Sequence, residues 1–228
     1  AASLLHHCCP TPLADATQRP RGAQRVYTCK CGAQVDPYGD HVLPCPHMLH
    51  IRTGAWHDSI MDVVCKMSRM CNHTMSVDSR RPRAVSAVYS PMWCPDVTLL
   101  HEAPTGGHVL IDVTTTSVTK STALPAAAKS AGAVAKGASA AKHHTYGAIA
   151  PHVLLPFVVE DAGALGKEAM GFVKACKAKL KDTLPTISES ELNWSNHGFS
   201  NYFFQSLSLA NLKGQAYYFT TAATLLHS

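Results

Sequence analysis

The sequence predicts an α/β protein in which a small mixed sheet is flanked by helices and preceded by a small cysteine-rich module. Three observations carry that prediction. Two short apolar runs, around Pro95-Asp96-Val97-Thr98-Leu99 and Val109-Leu110-Ile111-Asp112-Val113, are joined through Ala103-Pro104-Thr105-Gly106-Gly107, which is hairpin chemistry. A third run, Val153-Leu154-Leu155-Pro156-Phe157-Val158-Val159, is continuously apolar, as a strand covered on both faces would be. Around these runs the apolar residues recur at helical spacing, so the order is helix, hairpin, helix, strand, helix.

The bulk composition sets limits on function. With 228 residues, 46% of them hydrophobic and 15% charged, the chain can bury a substantial core, which excludes wholesale disorder. No apolar run reaches the ~18–20 residues needed to span a bilayer, so no membrane partner is expected. The net charge of +5 is modest, but its distribution is not even. No acidic residue lies between Asp112 and Glu160, whereas Lys120, Lys129, Lys136 and Lys142 all do. A second basic run holds Lys174, Lys177, Lys179 and Lys181, and Arg80 and Arg81 mark a basic loop. Such surfaces either favour a polyanionic partner, DNA or RNA, or are the solvated faces of helices.

Element by element, residues 1–28 read as an irregular arm, 29–50 as a loop-built module and 51–228 as one α/β domain. Residues 54–71 form an amphipathic helix with Trp56, Ile60, Val63, Val64, Met67 and Met70 on its apolar stripe. The hairpin strands follow the basic loop. The Ala- and Lys-rich stretch up to Tyr146 reads as a helix that Gly132 and Gly137 weaken by ~1 kcal/mol each. In the third strand, Pro156 removes one ladder bond and argues for an edge or a bulge. Helices over 164–182 and 199–226 complete the domain, and no internal repeat is present.

Nine cysteines, an odd number with no secretory pattern before them, argue against a disulfide scaffold. Cys29-Lys30-Cys31-Gly32 is followed by nine residues from Gly32 to Asp40, then His41, three residues and Cys45. Four soft or borderline ligands within 17 residues suit a closed tetrahedral zinc site. A segment this short has almost no core, so the metal would supply its folding energy and the role would be structural. His47, His50 and the Cys8-Cys9 pair are poorer substitutes. No spacing supports nucleophilic catalysis by Cys94 or Cys176 with a histidine.

Asp96 and Asp112 are carboxylates in runs that otherwise read as buried. A hairpin can bring them within one cross-strand spacing. Two ionised carboxylates there repel and are costly to bury unless a divalent cation lies between them. Magnesium or manganese bound so would keep waters, one of which can attack a phosphodiester. The competing reading is that Asp96 caps the turn after Pro95 and Asp112 is paired within the sheet.

These residues carry a resemblance. Pro95-Asp96, fifteen residues, then Asp112-Val113-Thr114 resembles the core of the PD-(D/E)XK restriction-like nucleases. The wider order is C-x-C-G, Asp36, Gly39-Asp40-His41, Leu43 and Cys45, His57 and Asp62 on a helix, P-D-V, D-V-T, and Lys142-His143-His144-Thr145-Tyr146. It resembles the C-terminal region of non-LTR retroelement polyproteins, where a zinc knuckle precedes a restriction-like endonuclease downstream of the reverse transcriptase. Pro156-Phe157-Val158-Val159-Glu160 with Gly163, and Leu207-Ser208-Leu209-Ala210 with Gly214, extend it over roughly residues 29–220.

The resemblance implies a restriction-endonuclease-like core with Asp96 and Asp112 as ligands of Mg²⁺ or Mn²⁺, joined by the Val113 carbonyl. Asp62, or Asp78, would be an additional acid. Thr114 stands where that motif has its lysine, and Cys94 where an arginine usually precedes the P-D pair. Lys142 and Tyr146 match the K-x-x-x-Y arrangement by which retroelement nucleases supply a lysine from the following helix. Spaced one turn apart, they share a face.

Two functions are therefore expected. The first is a metal-dependent endonuclease that nicks DNA for element insertion, beside a reverse transcriptase. The second is a catalytically silent nucleic-acid-binding or structural subunit of a larger ribonucleoprotein, such as an organellar ribosome. Tyr202-Phe203-Phe204 and Tyr217-Tyr218-Phe219 would fit its docking surface, although helical aromatic stripes more often lie in the core. The nucleus is the expected compartment for an element product or a host copy of one. The missing initiator Met and the absence of acids before Asp15 make a mitochondrion the alternative.

Overall fold

The computed structural model describes residues 27–35, 41–77, 95–148, 151–180 and 198–227. Its first element is a hairpin of two short strands, β1 (Tyr27–Thr28) and β2 (Gln34–Val35), which pair antiparallel. Gly32 turns it at a φ of 86°, a conformation that a side chain would strain. A 3-10 turn at Pro46–Met48, a helical turn at Leu49–Ile51 and a π-helical stretch at Arg52–Trp56 then lead into helix α1 (His57–Met70). The regular helix starts later than the periodicity predicts because Gly54, at φ −88° and ψ −113°, leaves the helical region. On α1, Ile60, Val64 and Met67 are buried while Asp62, Lys66 and Arg69 face solvent, as the apolar stripe requires.

A four-stranded sheet follows, in the order β3 (Met75–Val77), β4 (Val97–Leu99), β5 (Val109–Thr116), β6 (Val153–Glu160). The hairpin expected from the apolar runs is β4 against β5, antiparallel, with Val97 opposite Ile111 and Leu99 opposite Val109. β3 extends it on the outer side and had no counterpart in the sequence reading. β6 pairs parallel to β5 from Val109–Val153 to Thr116–Glu160, which makes the sheet mixed. A parallel pair needs a crossover. Here it carries α2 (Leu124–Ala127) and α3 (Ala133–Tyr146). Among the described strands β6 is an edge, which accommodates Pro156 without loss of a ladder partner on its open side.

Successive side chains of β6 take opposite faces. On one face Phe157 meets Phe172 of α4 (Lys167–Leu180) and Phe203 of α5 (Phe199–His227), with ring centroids 6.0 and 6.4 Å away. α3 packs on the sheet as well, so most of β6 is buried despite its edge position. Gly132 proves to lie outside the helix, at its N-cap with φ 80°, so it imposes no helix-interior cost. In place of a conventional cap, the buried Glu160 carboxylate accepts the N–H groups of Gly132, Val134 and Ala135 at 3.2, 2.9 and 3.0 Å.

The long helix α5 ties the molecule together. Asn211 accepts the Trp56 indole N–H at 2.8 Å and donates to the Asp161 carbonyl, to which Gln215 also donates at 2.7 Å. Tyr218 donates its hydroxyl to the Val42 carbonyl at 2.6 Å, docking the cysteine-rich module on the helix. Of the two aromatic triplets, Tyr202, Phe203 and Tyr218 are buried, and only Phe204 and Tyr217 are left as exposed rings. Among the described residues, no helix is long and apolar enough to cross a membrane.

Candidate functional site

Cys29, Cys31, His41 and Cys45 converge, their ligand atoms all within 4.8 Å of one another. The hairpin explains the convergence. Gly32 N–H bonds the Cys29 carbonyl and Cys29 N–H the Ala33 carbonyl, both at 2.8 Å, so the chain folds back between the first two cysteines. The Val42–Cys45 turn then returns the last thiol. Cys29 and Cys45 sulfurs are 3.5 Å apart, Cys45 and Cys31 sulfurs 3.9 Å, and Cys31 Sγ and His41 Nε2 3.2 Å. The edges of a tetrahedron with Zn–S bonds of ~2.3 Å are about 3.8 Å, so the four atoms fit the ion. The cluster could hold a metal such as zinc. Its thiols differ: the Ala33 backbone holds Cys31 below its ordinary pKa, while burial pushes Cys45 up to about 11. A bound cation would favour the thiolate at both.

Asp96 stands one residue before the Val97–Ile111 pair of the β4–β5 ladder, and its charge acts on Asp112, the residue after Ile111 on β5. Asp112 is buried, and both of its oxygens are engaged. Lys142 Nζ lies 2.7 Å from Oδ2, and the Tyr146 hydroxyl donates to Oδ1 at 3.1 Å. Lys142 and Tyr146, one turn apart on α3, thus both reach the same carboxylate. Thr114 adds a long bond of 3.4 Å to Oδ2. Burial, reinforced by the Asp96 charge and opposed by Lys142 and Tyr146, holds Asp112 above the usual carboxylate range.

Asp96 stands just ahead of β4. Its Oδ2 accepts the Val113 N–H at 2.7 Å and lies 3.3 Å from His57 Nε2. His57 in turn contacts Asp58 through Nδ1 at 3.1 Å. Burial opposes charge on His57, but the hydrogen bonds and charges of Asp96 and Asp58 outweigh it and push its pKa up to about 9. A doubly protonated imidazole donates from both nitrogens.

Asp62 was expected to add an acid. It lies on the exposed side of α1, and the acid linked to Asp96, through His57, is Asp58. His57 belonged to the sequence pattern without a role. Its signal was its position in the first turn of a helix followed by an acid. Lys120, Lys129 and Lys136 are exposed, as a nucleic-acid contact would need, whereas Lys142 is drawn inward to Asp112. Arg80, Arg81, Asp78 and Cys94 lie outside the described residues, as do the Cys8-Cys9 pair and residues 36–40.

Asp112 thus lies against an ammonium and a phenol, with the Asp96 carboxylate near enough for its charge to act on it. Among the described residues, neither Asp96 nor Asp112 belongs to a cluster of three or more mutually close His, Cys, Asp or Glu ligand atoms. No family model matches the chain, and a search of curated proteins finds no match.

Proposed function

We propose that the protein is a divalent-metal-dependent nuclease of the restriction-like class, with a structural zinc in its N-terminal module. One observation carries the reading: Lys142 and Tyr146 from a single helix turn meet Asp112, across the hairpin from Asp96. The sequence resemblance to retroelement endonucleases names the same four residues. In this reading Asp96, Asp112 and the Val113 carbonyl would hold Mg²⁺ or Mn²⁺, which would supply a water activated for attack on a phosphodiester. Lys142 stands in for the lysine that Thr114 replaces and stabilises charge on the phosphate. His57 and the Val113 N–H orient Asp96. The exposed Lys120, Lys129 and Lys136, with Arg80 and Arg81, would follow the nucleic-acid backbone, and a reverse transcriptase or ribonucleoprotein would be the larger partner.

A second reading has its own support. Both Asp112 oxygens and Oδ2 of Asp96 already have protein partners, and Thr114 is a weak substitute for lysine. That pattern also suits a nuclease fold kept for binding within a ribonucleoprotein. Plasmid nicking separates the two. Zinc-loaded protein should nick supercoiled DNA when Mg²⁺ or Mn²⁺ is added and not when it is omitted, and Asp96→Ala should abolish the activity. A folded, zinc-loaded wild type that leaves the plasmid intact with either ion overturns the nuclease reading in favour of the second.

A further inference from the structure

A second set of metal-ligating side chains lies away from both groups described above. Cys71, His73 and Cys176 place one ligand atom each within 4.8 Å of the others. Cys71 and Cys176 are 105 positions apart in sequence, so no spacing motif could have announced the cluster. Both thiols are free and almost wholly buried, at 0% and 1% exposure.

The backbone delivers these residues by a specific device. Helix α1 ends in a Schellman motif: His73 N–H bonds the Ser68 carbonyl at 3.0 Å and Asn72 N–H the Arg69 carbonyl at 2.9 Å. The residue between Cys71 and His73, Asn72, takes the left-handed conformation with φ 55°. Asparagine tolerates that conformation better than other side chains, and the reversal brings His73 back beside Cys71. Cys176 comes from α4, with its carbonyl 3.7 Å from Cys71 Sγ.

The histidine has an outer carboxylate. His73 Nδ1 lies 2.8 Å from Glu102 Oε1, and Lys179 Nζ is 3.0 Å from the same oxygen and 3.1 Å from Nδ1. The shorter contact is to the carboxylate. Donation from Nδ1 to Glu102 leaves Nε2 unprotonated and available to an ion, the arrangement by which metal-bound histidines are usually oriented. Charges balance as well. Two thiolates neutralise a divalent cation and the half-buried Lys179 neutralises Glu102, so the assembled group carries no net charge.

We propose that Cys71, Cys176 and Nε2 of His73 form a second zinc site, with Glu102 as its outer carboxylate and a solvent water as fourth ligand. Two sulfurs and an imidazole select a soft or borderline cation over Mg²⁺ or Ca²⁺. His73 is the partly exposed member and marks the side from which water and metal enter. The ion would pin the turn between α1 and β3 to α4. This site does not depend on the nuclease reading.

The test is zinc content of the full chain, prepared anaerobically with reductant, in wild type, Cys176→Ser, His73→Ala and Glu102→Gln. Loss of one zinc per chain in Cys176→Ser and in His73→Ala is expected, with the knuckle's zinc retained. Cobalt substitution should show thiolate-to-cobalt absorption that falls in Cys176→Ser. Glu102→Gln leaves all ligands in place and should weaken the second site by ~10–100-fold while sparing the first. Unchanged zinc stoichiometry in a folded Cys176→Ser protein overturns the proposal. So does an unchanged affinity in Glu102→Gln, or a Cys71–Cys176 disulfide in the zinc-saturated wild type.

Discussion

Asp112 concentrates the conflict between stability and chemistry at this site. A buried carboxylate is costly unless paired, and Lys142 and Tyr146 supply the pairing. Lys142→Met should therefore act twice. It should lower any nicking rate by ~10²–10³, as loss of a preorganised donor does. It should also lower stability by about 1–3 kcal/mol in urea denaturation, since Asp112 keeps only its hydroxyl partners. His57 makes a separate prediction. Its folded pKa of about 9 exceeds the ordinary 6.5, so its contribution to stability is complete below about pH 6.5. That contribution is lost as pH rises towards 9. Denaturation midpoints measured across this window should fall for the wild type, and the slope should flatten in His57→Gln. Asp96 and Asp112 stood out in the sequence as carboxylates in apolar runs, whereas Lys142 and Tyr146 stood out only through the K-x-x-x-Y arrangement of the family that the sequence resembles. His57 could not be given a role, because its link to Asp96 exists only once α1 packs against the sheet.

At the scale of elements, the long apolar runs and the periodic helices were legible, and the short or irregular pieces were not. β3 is three residues, Met75–Val77, too short to show alternation, and it forms because β4 offers it an open edge. The start of α1 was misplaced because Gly54 interrupts a helix whose apolar pattern runs on through it. Two glycines within helices show how context decides a substitution. A Cβ on Gly214 would lie 2.5 Å from Trp56 Cδ1, whereas one on Gly137 would meet nothing within 4 Å. Gly214→Ala should cost about 1–3 kcal/mol through overpacking. Gly137→Ala should gain up to ~1 kcal/mol through helix propensity. Thermal or urea denaturation of the two variants checks the opposite signs.

For the whole molecule, the cysteine-rich module and the α/β domain share one buried cluster. Val42, Leu43 and Cys45 belong with Trp56 and Tyr218 to the same core, and the Tyr218 hydroxyl binds the module's backbone. Stripping zinc with a chelator should therefore lower the melting temperature of the entire chain. A melting temperature unchanged in a protein shown to be zinc-free would mean that the module folds without its metal. Sequence spacing revealed the module because all four ligands fall within one short segment. The Cys71, His73 and Cys176 group stayed hidden because packing of α1 against α4 creates it.

The most direct measurement of the central claim is nicking of supercoiled DNA in Mn²⁺ by wild type and Asp112→Asn, with equal zinc content and folding established for both. Asp112→Asn keeps the shape of the side chain, removes its charge and turns one acceptor oxygen into an amide donor. The account predicts metal-dependent nicking by the wild type and a loss of at least ~10² in the variant. Equal rates from the two proteins would contradict it and leave Asp112 a structural partner of Lys142 and Tyr146.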